Sequence, residues 1–488
     1  MKSKNVLNGD FVKNVILDNY KTYSFAYLFC SIVATIGVLL IYPFIGLADG
    51  LTRWKLAIEI IEHGEIVTTT LLSPVIPYIQ AITYKLSNSY AFYTYIQAFW
   101  FYLAIFVLIK SILNDKKVNI FNTEFNLWQI VSVCIILYPS VFVFPLLLTD
   151  SSPVFILIIF IFVILNDYIL HNKKISKIKL ILTSILIALC IGIRINSIVL
   201  FLILIMYLII INIIRKHFNF SNLLSVLLGI ILGLVIPFIA LPQHYNASTL
   251  GMLWELIGVA HVSGNKELIC ELGKYGDIDE ALNRYGDPFC NYIIWDDNPP
   301  YKVFDISGKY SKEITKLYVK QIFKTPKTFI KNKIHFAENT MGIKHRLITS
   351  VRGVAQSYEK RTKACGAISN ARQKEIRWLF RITTDGIALI SLRPFYEIML
   401  SFLLAMFAGK KDIYIRKKMY YWIVIATAYY LSFLINTQAH EFRYFAPSFY
   451  ILFIIIICCL ILIFKQVYSA SLMQKSVKLP QKNNKQSI

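Results

Sequence analysis

Apolar runs near residues 24 to 46, 90 to 110, 126 to 148, 153 to 169, 179 to 193, 196 to 214, 222 to 241, 387 to 408, 419 to 436 and 446 to 464 dominate the chain. Most are about 17 to 23 residues long, the length a helix needs to cross the hydrocarbon of a bilayer, so the pattern predicts about ten spans. Two further stretches mix apolar and polar residues at helical intervals. In residues 47 to 88 a first amphipathic helix carries Trp54, Leu56, Ile58, Ile60 and Ile61, and Pro74 with Pro77 opens a second. Residues 312 to 340 interleave Ile, Leu, Val and Phe with Lys and predict a helix lying on the membrane surface, near lipid phosphates. The fold class expected is all-α, a polytopic transmembrane bundle with juxtamembrane helices and a large extracytoplasmic loop domain.

The polar segments predict an orientation, because Lys and Arg accumulate in short cytoplasmic loops. Lys2, Lys4, Lys13 and Lys21 precede the first run, Lys110, Lys116 and Lys117 follow the second, and Lys173, Lys174, Lys177 and Lys179 follow the fourth. Arg215 and Lys216 follow the sixth, Lys410, Lys411, Arg416, Lys417 and Lys418 the eighth, and the tail from Lys465 is basic. Every second loop is basic, which predicts cytoplasmic termini. The first run follows about 22 polar and basic residues and lacks a small-residue cleavage site after it, so it reads as a retained helix. The expected organisation is an N-terminal membrane module of about seven helices over residues 1–241, with its first outward loop at 47–88. An extracytoplasmic domain at 242–382, further membrane helices at 383–465 and a basic tail at 466–488 complete it.

Composition narrows the class. Hydrophobic residues make up 56% of the 488-residue chain, only 16% are charged, and mean hydropathy is +0.57, which excludes an ordinary soluble domain. A formal charge of +23 would suit a nucleic-acid partner. However, about two dozen of the basic residues lie in loops where membrane insertion accounts for them, so no nucleic acid is expected. Cys270, Cys290 and Cys365 fall in the long loop, while Cys30, Cys134, Cys190, Cys458 and Cys459 fall within apolar runs. A disulfide between Cys270 and Cys290 and a pair of free thiols both fit that placement. There is no phosphate-binding glycine loop, no G-x-S-x-G elbow and no HExxH helix, which argues against a nucleotide-driven pump.

The chemistry-bearing motifs sit at the outward ends of the runs. Asp49 follows the first run within GLADG, and Ser73-Pro74 with Pro77 leads toward the second. LLLTDSSP places Asp150, IGIRINS places Arg194, EFRYFAP places Glu441, Arg443 and Tyr444, and KTPKTFIKNKIHF surrounds Pro326. With these motifs the chain resembles the C-superfamily of membrane glycosyltransferases, which use polyprenyl-phosphate sugars as donors. Members carry an acidic residue just after the first helix, then two juxtamembrane helices, then a proline-containing stretch. Asp49 matches the acidic position and Ser73-Pro74 with Pro77 the proline stretch, while Asp150 matches a second acid that many members have. The chain departs from the family where paired acids are usual: Asp49 is followed by Gly50, with Glu59, Glu62 and His63 as nearby substitutes.

The resemblance implies transfer of a sugar from a polyprenyl-phosphate donor to a glycan, lipid or protein acceptor on the outer face of a membrane, by composition that of a bacterial cell. A carboxylate at the membrane edge can deprotonate the acceptor hydroxyl, and Asp49 is the expected catalytic base. A cation must offset the leaving phosphate. Arg194 and Arg443 are almost the only basic residues in the short outward loops and could grip that phosphate, with Tyr444 beside them, or could be snorkelling helix ends. Asp150 could bind acceptor or, together with Asp49, a divalent Mg or Mn ion, or could be a helix-end carboxylate. In the long loop, His244, Trp254, Glu255, His261 and the segment from Trp295 to Tyr301 could meet sugar rings or form a loop core. Two other readings stay open: an O-antigen-type polymerase, also polytopic with one large outward loop, and a lipid or polysaccharide transporter. Against the transporter stand the near absence of charge within the apolar runs and the lack of a repeat.

Overall fold

The computed structural model describes residues 18–42, 49–68, 70, 72–114, 116–120, 123–147, 150–216, 219–240, 248–285, 293, 298–343, 393–410, 412–436 and 442–477. In chain order, α1 (Asp18–Ile41), α2 (Gly50–His63), α3 (Val75–Ser87) and α4 (Tyr90–Leu113) precede a hairpin of β1 (Lys117–Ile120) and β2 (Thr123–Asn126). Next come α5 (Leu127–Ile136), α6 (Pro139–Leu147), α7 (Ser151–His171), α8 (Lys177–Ile193), α9 (Ile198–Ile214) and α10 (Phe220–Ala240). A satellite follows, made of α11 (Ser248–Ser263), α12 (Lys266–Gly273), α13 (Ile278–Arg284), α14 (Ser311–Lys324) and α15 (Pro326–Thr340). The last helices are α16 (Pro394–Ala408), α17 (Ile413–Asn436) and α18 (Phe442–Val477).

A helix satisfies its own backbone in lipid, so apolar sequence with few charges folds into membrane helices. Among the described residues five helices are long and apolar enough to cross a bilayer: Tyr23–Ile41, Tyr90–Leu113, Ser151–His171, Ile195–Ile214 and Tyr444–Tyr468. The expectation of about ten such spans does not carry over in full, although the described part of each apolar run is mainly helical. Residues 126 to 148 break ahead of Pro139 into α5 and α6, bent by 70°, and would make a sixth span only as a broken one. The described apolar part of α10 and the whole of α16 are shorter. Helix α17 opens on Arg416, Lys417 and Lys418, which lowers its hydropathy. Within the bundle α4 and α18 are central, each 67% buried over its apolar window, while α1 and the α9 segment, at 33%, form its lipid-facing flanks.

Helices α8 and α10 approach most closely where sequence permits it. Gly229 and Gly233 sit one helical turn apart on α10, and a Cβ at Gly229 would lie 2.8 Å from both the Ser184 carbonyl oxygen and the Ile187 Cβ of α8. Small residues at this spacing let backbones meet. The contact is locked by Ser184 Oγ donating to the Ser225 carbonyl at 2.8 Å and Ser225 Oγ donating to the Leu180 carbonyl at 2.7 Å. Gly229→Leu is therefore expected to cost about 1–3 kcal/mol by overpacking, or more where backbone has to move. A melting curve in detergent checks it, with Leu228→Ile on the exposed side of α10 as a silent control.

Lysines and arginines collect at one end of the bundle. Lys116 pairs with Asp412 at 3.2 Å, Lys418 donates to Asn114 Oδ1, and Arg215 donates to the Tyr168 and Ile169 carbonyls at 2.9 and 2.7 Å. The β1–β2 hairpin, a departure from an all-α chain, lies at this end too, where Lys465 donates to the Lys117 carbonyl at 3.1 Å.

The satellite has its own apolar core, with all members between Leu250 and Phe329, among them Leu253, Leu256, Leu272, Ile306 and Ile314. Buried Glu255 accepts from Tyr318 Oη at 2.7 Å and from Lys333 Nζ. The single helix expected over residues 312 to 340 is in fact two. Pro326 forces Thr325 out of helical geometry (φ −135°, ψ 55°) and starts α15. Each of the two buries a face in the satellite, through Ile314 and Leu317 on α14 and Phe329 on α15.

Candidate functional site

At the end of the bundle opposite the lysines, helix termini distant in sequence converge on one carboxylate. Helix α2 buries Arg53, Leu56, Ala57 and Ile60, a stripe at helical spacing whose apolar members pack with Ala81 of α3 and Ile66 of the intervening segment. Its charged member, Arg53, is thereby held against the bundle. Asp49 occupies the N-cap position of α2 and makes no side-chain capping bond. Its carboxylate lies 3.6 Å from Arg53 Nη2 and is 35% exposed.

Asp150 stands at the N-cap of α7, also without a capping bond from its side chain, and is only 8% exposed. Arg194 Nη2 donates to its Oδ2 at 2.5 Å, and Arg53 Nη2 reaches the same oxygen at 3.4 Å. Ser151 Oγ donates to Asp150 Oδ1 at 3.2 Å and accepts from Arg194 Nη2 at 3.2 Å. Both acids lie at helix N-termini, where the helix dipole favours negative charge.

Arg194 ends α8. There the backbone turns extended (φ −139°, ψ 104°) before a short 3₁₀ turn, Ile195–Ser197, leads into α9. Its guanidinium lies 4.7 Å from the centre of the Tyr444 ring on α18, a cation–π distance. The proline stretch fixes the last turn of α8: Ser73 Oγ donates to the Gly192 carbonyl, and a Cβ at Gly192 would lie 3.0 Å from Val75 Cγ2. Trp54 packs edge-on against Tyr90 at 4.7 Å, and buried Tyr93 is within electrostatic reach of Arg53 and Asp150.

Asp49, Asp150, Arg194 and Tyr444 thus form one connected series, bridged by Arg53. Arg53 is not among the residues expected from sequence; the sign that sequence carries of it is one charge at helical spacing with the apolar Leu56, Ala57 and Ile60. The Arg443 side chain and Glu441 lie outside the described residues. The alternative bases are differently engaged. Glu59 clamps the segment after α2, accepting from the backbone N–H groups of Val67 and Thr68 at 2.9 Å each and from the Thr68 hydroxyl at 2.5 Å. Burial works against its ionisation, but those hydrogen bonds and the field of His63 outweigh it and hold the carboxyl below its ordinary range. Glu62 and His63 are an exposed pair 3.9 Å apart.

The loop residues form no second site among the described residues. Trp254 and Tyr301 are satellite core, and His261 packs at 5.3 Å on Tyr285. His244 and residues 295–297 lie outside the described residues. Cys270 is exposed with a free thiol, and Cys290 also lies outside them.

The donor set fits a divalent ion poorly. Both carboxylates lie on one Arg53 nitrogen, and Arg53 and Arg194 together already balance their two charges. No group of three or more His, Cys, Asp or Glu able to hold a metal ion occurs among the described residues. What the cluster offers is a partly exposed carboxylate beside a buried pair of guanidinium groups. Compared with known proteins, the chain matches no family model, no curated protein and no solved structure.

Proposed function

We propose that the chain is an integral membrane glycosyltransferase that moves a sugar from a polyprenyl-phosphate donor to a glycan, lipid or protein acceptor. The observation that carries this reading is the series Asp49–Arg53–Asp150–Arg194–Tyr444 at the end of the bundle away from its lysines. Under the positive-inside rule the lysine end is cytoplasmic, which puts both termini in the cytoplasm and the cluster at the outer edge of a bacterial plasma membrane.

The chemistry divides among these residues. An acceptor hydroxyl oxygen attacks the anomeric carbon as the bond from that carbon to the phosphate oxygen breaks. The polyprenyl phosphate departs with the bonding electron pair, and Asp49 takes the hydroxyl proton as general base. Arg53 and Arg194 provide the positive field that offsets the phosphate's growing charge, and a preorganised field of this kind needs no rearrangement during reaction. Asp150 is a positioning residue: it holds both guanidinium groups through one oxygen, and the Tyr444 ring supports the second of them. No step is assigned to a metal ion.

The test supplies membranes containing the chain with a polyprenyl-phosphate sugar labelled in the sugar. Label is expected to leave the donor for an acceptor fraction at a rate that scales with the amount of chain. Donor label that stays in place, as in membranes lacking the chain, refutes the transferase and leaves the polymerase or the transporter. A reporter active only outside the cytoplasm, fused after Asn246, is expected to be active, and an inactive one reverses the orientation.

A further inference from the structure

Toward the basic end of the bundle, α7, α9 and α17 enclose a furrow with a cavity volume of about 280 Å³. Its walls are Phe162 and Leu170 of α7, Ile203 and Tyr207 of α9, and Ala428 of α17, and exposed Lys417 stands at one end. The furrow is a recess and not a gap through the bundle. Its floor is closed by Tyr421 Oη donating to the Phe162 carbonyl at 2.6 Å, and its α7 and α9 walls are tied at the basic end by Arg215 on the Tyr168 and Ile169 carbonyls. Water needs several polar partners to occupy a cavity, and these walls offer few.

Length and charge identify what fits. From Lys417 to Ala428 the furrow follows α17 for about 16 Å at helical rise. One leaflet's hydrocarbon is about 15 Å deep, half the bilayer core. The furrow is therefore as deep as a single leaflet and opens at the level where lipid phosphates lie. Two acids lie near that mouth: Asp412, already paired with Lys116, and Asp167, two residues from the lining Ile169 and within electrostatic reach of Tyr414; Lys418 is turned toward Asn114. Lys417, and Arg215 within electrostatic reach of the lining Tyr207, set two positive charges against Asp167 there.

We propose that this furrow seats one anionic phospholipid of the leaflet at the basic end, with an acyl chain between α7, α9 and α17 and its phosphate on Lys417. The proposal does not depend on the transfer chemistry. Native mass spectrometry of the full chain released from detergent tests it, titrating phosphatidylglycerol against phosphatidylcholine with the same acyl chains. The wild type is expected to retain one phosphatidylglycerol. Lys417→Gln, at an exposed position, is expected to lose about fivefold in preference for it, the contribution of one lysine at a lipid surface. Ala428→Trp and Ile203→Trp, each filling the furrow, are expected to shed the lipid altogether. Equal retention of the two lipids by the wild type overturns the proposal, as does phosphatidylglycerol held at the wild-type level by both tryptophan variants. Should a tryptophan variant fail to elute as a single species, the unchanged preference of Lys417→Gln is enough to refute it.

Discussion

Asp150→Ala is expected to destabilise the chain by about 3–5 kcal/mol, because it strips two buried guanidinium groups of their shared counter-charge. Arg194 and Arg53 both reach Asp150 Oδ2, and all three side chains are at most 8% exposed. An uncompensated charge in such surroundings is far costlier than a surface pair broken by mutation. The carboxylate also ties the ends of α2, α7 and α8 together, so its removal is expected to loosen the site as a unit. The measurement is thermal stability in detergent, followed by size-exclusion chromatography. Asp150→Asn keeps shape and an acceptor oxygen and should fall between alanine and the wild type. Adding Arg194→Ala to Asp150→Ala should cost less than the sum of the two single changes, since contacting partners are not additive. Strict additivity, or a melting temperature for Asp150→Ala equal to that of the wild type, would show that the pair does not hold these helix ends.

Asp49→Asn should do the opposite, with transfer falling about 10²- to 10⁴-fold, the usual worth of a general base. Stability should change by no more than about 1 kcal/mol, as for a partly exposed ion pair. The contrast follows from position. The Asp49 carboxylate is open enough to meet an acceptor, it does not cap its own helix, and it leans on Arg53 at 3.6 Å without being enclosed by it. Initial rates with labelled donor, normalised to folded protein, measure the effect. A variant that transfers at the wild-type rate places the base elsewhere. A variant that fails in both stability and rate makes Asp49 structural.

Much of the helix framework was legible because burial in lipid demands long apolar runs, and such runs need no knowledge of tertiary contacts. What could not be read was how those helices run. Residues 126 to 148 are mostly apolar and carry no charge, yet the chain breaks ahead of Pro139 into two pieces, and Pro326 likewise divides the amphipathic stretch that reads as one surface helix. Hydropathy averages across such breaks, and only the prolines signal them. In the site, Asp49, Asp150, Arg194 and Tyr444 were each identifiable as polar groups at helix ends. Their convergence was not, since Arg53 and Asp150 are 97 residues apart and Arg194 and Asp150 are 44 apart. Arg53 stands i+4 from Asp49, a spacing common to exposed ion pairs, and only the burial of its helix face in the folded chain distinguishes it. The meeting of Asp49 and Asp150 on one Arg53 nitrogen depends on that same burial.

The glycine contact between α8 and α10 has a consequence for how such a chain can diverge. Arg194 is carried on the end of α8, and α8 is spaced from α10 by backbone resting on backbone at Gly229 and Gly233. The large side chains around that contact face lipid or one another and can exchange Ile, Leu and Val with little effect on where the helix axis lies. In a lineage of such proteins, the apolar surface of these two helices is free to drift almost without trace. The two glycines, which bear no functional group at all, would be held as tightly as the arginine they place.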